Sequence, residues 1–453
     1  MALVAWGALA FGSVYAWAYW PLAIVSAGLG VWAWAATDGW RDPTVTRLAV
    51  CLAGVGVAIG LQIVVLPYSI VTWLSPGIDS FFRRYMIAYR PPIAHSLSLQ
   101  PSKTLVVLLL FVAFGLLLLG TVRAIKRLRL EWFVSQFVGL GTAMALLGIV
   151  QFAFLDKDAP LLYGFWRPAY GAAPFGPFIN KNHFAGWMVM VLPVVVAYGC
   201  AVFLATPRPH GMHRRLWLRW LATVEASRFL LVLVAALVMA VSVVLTGSRS
   251  GLASLVTAFA CLGIAVWREL PAGRPRWMAL GAMAFLIVAA LGWGGADTLV
   301  GRFGNAPAEF EGRLAAWRDA SMMVRDFPWF GIGLGSFERA MLVYQSVDRS
   351  SIYAQTHNDY LQLVTEGGAL VIAPVVVTVA MMLGILRRRL VPGLEPSLHA
   401  WVRIGAVAGL VGILTQSLVE FSLQMPGNAV LFVILLAIAL HRPSESRPYA
   451  HSV

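Results

Sequence analysis

Apolar runs of about 20 residues, the length a helix needs to cross a hydrocarbon core, recur along almost the whole chain. They predict twelve transmembrane helices, near residues 2–18, 20–36, 47–66, 103–122, 132–154, 183–205, 229–246, 251–267, 278–295, 366–386, 401–420 and 427–441. The first two share one apolar stretch, divided at Tyr19-Trp20-Pro21, where an aromatic interface precedes a proline suited to a helix start. One long segment breaks the pattern. Residues 297–360 are polar, hold Arg302, Arg313, Arg318 and Arg325, and end Gln355-Thr356-His357-Asn358-Asp359-Tyr360. The expected fold is an all-α polytopic membrane protein with a large loop, 297–365, between spans nine and ten.

Composition agrees. Of the 453 residues 60% are hydrophobic and 12% charged, with 18 Trp, which excludes an ordinary soluble fold. The formal charge of +14 does not point to nucleic acid as a partner, because Lys and Arg fall in short runs between apolar segments, where they orient helices. With the amino terminus inside, four runs gather on the inner face: Arg123, Lys126, Arg127 and Arg129; Arg208, Arg214, Arg215 and Arg219; Arg268, Arg274 and Arg276; and Arg387, Arg388 and Arg389. Segments 67–102, 155–182, 247–250 and 297–365 are then outside. His95, His183 and His357 join them, while His210, His213, His399, His441 and His451 fall inside or in the tail. Cys51, Cys200 and Cys261 have neither disulfide-framework nor metal-site spacing. No basic n-region opens the chain, so no cleavable signal peptide is expected. Span centres almost free of ionisable residues disfavour an ion-coupled transporter.

Helices entering from outside present free N–H groups and positive dipole ends to the outer face. Three such starts are unusually polar: Asn180-Lys181-Asn182-His183, Thr246-Gly247-Ser248-Arg249-Ser250-Gly251 and Thr356-His357-Asn358-Asp359. Helix starts combined with fixed cations favour a phosphate ligand. Asn180, Asn182, His183, Ser248, Asn358 and Asp359 are therefore candidate substrate-binding residues, with Arg318. Arg249 either grips phosphate in a bidentate contact or snorkels among lipid headgroups. Arg313, on an expected helix ending before Pro328, either binds phosphate or pairs with Glu309 or Glu311. Arg318 and Arg325 also fit a solvated helix face. Thr356 and Asp359 resemble a capping box, placing His357 in a first helical turn. There a neutral ring could serve as general base, or the residue is an interfacial anchor held by Asp359. Gly331-Ile332-Gly333-Leu334-Gly335-Ser336-Phe337 lacks a dinucleotide fingerprint's third spaced glycine and fits a close-packed turn. Arg83, Arg84 and Arg90, interleaved with Phe81, Phe82, Tyr85 and Tyr89, suit an anionic acceptor or lipid headgroups.

Thr246-Gly247-Ser248-Arg249-Ser250-Gly251, Arg313-Leu314-Ala315-Ala316-Trp317, the run from Asp326-Phe327-Pro328 to Ser336-Phe337, Thr356-His357-Asn358-Asp359-Tyr360-Leu361 and Glu366-Gly367-Gly368 together resemble the O-antigen ligase and polymerase superfamily. The resemblance implies a GT-C-like, metal-independent glycosyltransferase of the bacterial inner membrane, multi-pass, without cofactor, its active site facing the periplasm among membrane lipids. The implied donor is an undecaprenyl-diphosphate-linked glycan; the implied acceptor is lipid A-core or a growing glycan. Arg249 and Arg313 would hold the diphosphate, and His357 would position or deprotonate the acceptor hydroxyl, making these three the expected catalytic residues. The implied division is helices 1–5 over residues 1–154 and a ligase-like core over 155–453. The ligase branch often carries a small or Tyr residue three positions after the last motif glycine, where this chain has Val371. Ligase and polymerase both stay open, with a non-catalytic transporter or flippase of lipid-linked sugars as the reading from another class.

Overall fold

A computed structural model describes residues 1–37, 43–125, 130–154, 161–168, 173–205, 223–270, 272–294, 306–347, 353–391 and 397–441. Arg302, Lys126, Arg127, Arg129, Arg208, Arg214, Arg215, Arg219, His210, His213 and His451 lie outside the described residues. The rest is helical, with only isolated bridges and no strand among the described residues. The helices are α1 (Ala2–Leu9), α2 (Ala16–Ala35), α3 (Pro43–Leu61), α4 (Tyr68–Leu74), α5 (Pro76–Tyr85), α6 (Pro101–Ala124), α7 (Leu130–Phe154), α8 (Lys181–Ala205), α9 (Val224–Thr246), α10 (Arg249–Glu269), α11 (Arg274–Gly294), α12 (Ala306–Asp326), α13 (Phe337–Tyr344), α14 (Asp359–Arg389), α15 (Ser397–Gln416) and α16 (Pro426–Leu440). Among the described residues, nine are long and apolar enough to cross a membrane, and α11 and α16 contribute shorter apolar helices.

The first expected span, 2–18, does not form. Its eight-residue helix α1 rises about 12 Å, well short of a hydrocarbon core about 30 Å thick. Phe11, Gly12 and Ser13 then take successive left-handed conformations, ending the helix. The break is held by packing: a Cβ on Gly12 would press into the Phe178 ring, and Phe11 meets Tyr15, Trp17, Tyr163 and Trp166. Apolar periodicity could not reveal this, since a broken and a continuous helix share the same hydrophobicity.

Helix α8 is the axis of the bundle, buried on almost every side, as a helix apolar all round must be. It lies against α15 because Gly405 and Gly409, a small-xxx-small pair, bring the backbone of α15 onto that of α8 at Val194 and Met190. Further out, Asn182, at the start of α8, accepts through its carbonyl from Gln416 Nε2, at the end of α15, at 2.9 Å. The same end of the bundle gathers the other polar segments: Gly251 of α10 abuts Ala185, and the Asp359 N–H of α14 donates to the Ser417 carbonyl at 2.9 Å.

Above this end the stretch that carries α4 and α5 and the stretch that carries α12 and α13 share one core. Val71, Ile78, Phe81, Phe82, Leu97 and Leu99 pack with Ala320, Met323, Phe327, Ile332, Phe337 and Met341. The glycine-rich run is the close-packed turn expected. Gly331, Gly333 and Gly335 all have positive φ, and a Cβ on Gly331 would collide with the Glu366 carbonyl. The Glu366 carboxylate accepts from Gly335 N and Phe337 N, each at 2.9 Å, stapling the turn to α14.

Candidate functional site

The site forms where the start of α8, the middle of α12, the loop before α14 and the turn between α15 and α16 converge. Its centre is Glu420, whose side chain is 0% exposed. Oε1 accepts from Arg313 Nη2 at 2.5 Å and from Asn182 Nδ2 at 2.8 Å. Oε2 faces His357 Nδ1 at 3.6 Å, beyond hydrogen-bond reach. Phe421 lies edge-on to both His183 and His357, with ring centroids 4.7 and 4.9 Å away. A guanidinium, two imidazoles, an amide and a carboxylate thus come from four chain segments.

Local sequence explains each placement. Asn180 Oδ1 accepts from Asn182 N at 2.8 Å, closing the first turn of α8, so Asn180 supports the site while Asn182 reaches its centre. His183 is buried one residue further on, its carbonyl accepting from Asn428 Nδ2 of α16. Arg313 projects from α12 toward Glu420, 107 residues downstream in the chain; the side chain of Glu309, one of the two acids weighed as a local partner, lies outside the described residues. Arg318 is exposed, on another face of α12, and is not brought to the cluster. Next to it Asp319 is buried and accepts from Ser346 N and Oγ, fixing the following loop. Arg325 is a solvated residue, 3.7 Å from Asp326.

The capping expected around His357 is different in the structure. The N-cap of α14 is Asn358, whose Oδ1 accepts from Leu361 N at 2.9 Å. Thr356 bonds within its own turn, through Oγ1, to Asn358 N and O. His357 therefore precedes the helix, in a left-handed conformation with φ 53°, unusual for a residue with a β-carbon and a pointer to a functional constraint. Trp317 Nε1 donates to the Thr356 carbonyl at 2.9 Å, so α12 carries both Arg313 and the clamp on the histidine loop. Asp359 does not anchor His357. Its carboxylate accepts from Ser417 Oγ at 2.8 Å and Gln424 Nε2 at 2.9 Å, tying α14 to the turn that bears Glu420.

Arg249 opens α10, half-buried, after a turn whose Gly247 is left-handed and whose Ser248 Oγ accepts from Gly251 N at 3.1 Å. That first turn packs on Ala185, two residues beyond His183. Ser248 is buried and spent on capping. Away from the cluster, Arg83 pairs with Asp79 at 2.7 Å, Arg84 lies over the Tyr85 ring and Arg90 donates to the Ile87 carbonyl. Sequence reasoning missed Glu420, absorbed into the apolar run 401–420. The one signal was its position at the very end of that run, an acid where the hydrocarbon should end.

Residues 234–376 match the model of a family described as O-antigen ligase. This stretch carries Arg249, Arg313 and His357, the three residues expected to be catalytic. Over this stretch the chain is similar to the O-antigen ligase domain, as its motifs led one to expect. Its many apolar helices are those of a multi-pass membrane protein, and the match supports a function of ligase or polymerase type in general. No curated protein matches the chain. The family match ends before Glu420 and begins after Asn182, so part of the clustered site lies on segments outside the matched stretch.

Proposed function

We propose that the protein is a glycosyltransferase of the bacterial inner membrane that moves a glycan from undecaprenyl diphosphate to an acceptor hydroxyl on the periplasmic side, with lipid A-core as acceptor. The observation that carries this reading is the meeting of Arg313 and His357 around Glu420, beside the start of α8 and near the first turn of α10 with Arg249. Two guanidiniums and helix starts suit a diphosphate. An imidazole about 3 Å from an incoming hydroxyl suits a base.

In the reaction the acceptor oxygen attacks the anomeric carbon, the bond from that carbon to the phosphate oxygen breaks, and its electron pair leaves on the diphosphate. Charge grows on the leaving group, where Arg249 and Arg313 stabilise it, the type of fixed electrostatics that contributes most to the rate in many enzymes. Arg313 is 23% exposed in its side chain, so one nitrogen is held by Glu420 while the rest of the fork stays open. The His357 side chain is 29% exposed although its Nδ1 is buried, which leaves the Nε2 side to meet the acceptor. The test is transfer by protein in nanodiscs from a synthetic undecaprenyl diphosphate oligosaccharide to lipid A-core. Arg249→Ala and His357→Ala are expected to abolish it with insertion intact; near-normal turnover in either removes that residue from the site. A product ladder formed without added acceptor would assign a polymerase instead.

A further inference from the structure

Glu420 and His357 present two buried polar atoms to each other, and neither has a hydrogen-bond partner among the described residues: Oε2 of the acid and Nδ1 of the imidazole. Leaving such atoms unsatisfied is costly, and they are rare in native structures. One arrangement satisfies both at once, a proton on Nδ1 donated to Oε2. The other tautomer would set a lone pair against a carboxylate. We infer that Glu420 is a positioning residue that fixes His357 as the Nδ1–H tautomer, leaving the Nε2 lone pair free for the acceptor hydroxyl. This rests on His357 being the base of the proposed transfer.

The geometry separates this role from direct catalysis. Glu420 is fully buried, so it touches no acceptor and acts only through the ring. Its other oxygen is already fixed by Arg313 and Asn182, which sets the direction in which Oε2 points. The gap of 3.6 Å closes by a small movement when the acceptor docks, as catalytic hydrogen bonds commonly tighten on substrate binding. During transfer the hydroxyl proton passes to Nε2. The imidazolium then carries Nδ1–H toward Oε2, so the carboxylate balances the charge made in the step. His183 lies against Phe421, the ring that also borders His357, and Asp359 is engaged elsewhere and does not compete for Nδ1.

Glu420→Gln tests this with a defined orientation. Arg313 and Asn182 are both donors, so they select the amide oxygen, and the NH2 is left to point at His357. An NH2 facing Nδ1 forces the proton to Nε2, the tautomer that accepts nothing from a hydroxyl. The expected result in nanodiscs is a fall in kcat of about 100-fold or more, within the range for loss of general-base function, with the donor KM changed less than about threefold. Nitrogen-15 NMR of the labelled imidazoles, with His357→Ala identifying the signal, reads the tautomer at a pH where the ring is neutral. Nδ1–H is expected in the wild type and Nε2–H in Glu420→Gln. Unchanged kcat in Glu420→Gln alongside an inactive His357→Ala overturns the role of Glu420 and leaves the proposed function standing. An active His357→Ala overturns the functional reading itself. The wild-type spectrum stands even if the glutamine variant fails to fold, and Nε2–H there also overturns the inference.

Discussion

Arg313→Ala removes the one cation that contacts Glu420 among the described residues, leaving a buried carboxylate with only neutral groups beside it, Asn182 and His357. Breaking a buried pair costs about 3–5 kcal/mol, mostly because the surviving charge is uncompensated. Since Arg313 is 23% exposed, water already screens its side of the pair, and the lower end, about 3 kcal/mol, is expected. Neutralising the acid as well should return most of this. In Arg313→Ala/Glu420→Gln the amide oxygen keeps the Asn182 bond and the NH2 takes His357 Nδ1, so the residual cost is about 1 kcal/mol for one neutral hydrogen bond. The assay is thermal unfolding in nanodiscs at one scan rate, followed by tryptophan fluorescence, for the wild type, both single variants and the double variant. The double variant should melt above Arg313→Ala while transfer stays lost in both. A double variant that melts as low as Arg313→Ala, or lower, would refute the idea that the cost arises from a stranded buried charge.

Gly331→Ala should destabilise the core shared by α5, α12 and α13, because its left-handed backbone and the Glu366 carbonyl beneath it leave no room for a methyl group, whereas Gly384→Ala, with nothing within 4 Å, should be neutral or mildly stabilising; limited proteolysis of the two variants reads the difference. Burial pushes the Asp79 carboxyl up, but hydrogen bonds from Arg83 and Tyr89 and the Arg83 charge outweigh it and hold it below its ordinary 3.8. A depressed carboxyl stabilises the fold above its unfolded value and stops doing so as pH falls through its folded value, so the α4–α5 segment should loosen below about pH 4, and Asp79→Asn should remove that dependence in hydrogen exchange.

Much of the helix pattern was legible because lipid imposes it: a backbone crossing hydrocarbon satisfies its polar groups internally whatever its neighbours are. The lengths of α6, α7, α8 and α10 follow closely from the apolar runs. Polar residues at three helix starts likewise marked one end of the bundle, and Arg313 and His357 were found there. The failures came where a partner decides. Residues 2–18 read as a span until Phe178 and the aromatic cluster seated a turn at Gly12. Thr356 and Asp359 had capping-box spacing, yet Asn358 caps the helix because Asp359 is drawn to Ser417 and Gln424.

Which segments are helical, which residues are too polar for lipid and which end of the bundle they mark all follow from the order of side chains, since each depends on solvent and on neighbours a few positions away. Glu420 as the partner of Arg313, 107 residues apart, does not. It depends on Gly405 and Gly409 letting α15 lie on the backbone of α8, which sets where the turn after α15 emerges and places its carboxylate beside Asn182, Arg313 and His357. A charge buried at such a junction is tolerable only because partners from three other segments arrive there together, and that coincidence exists only in the packed structure.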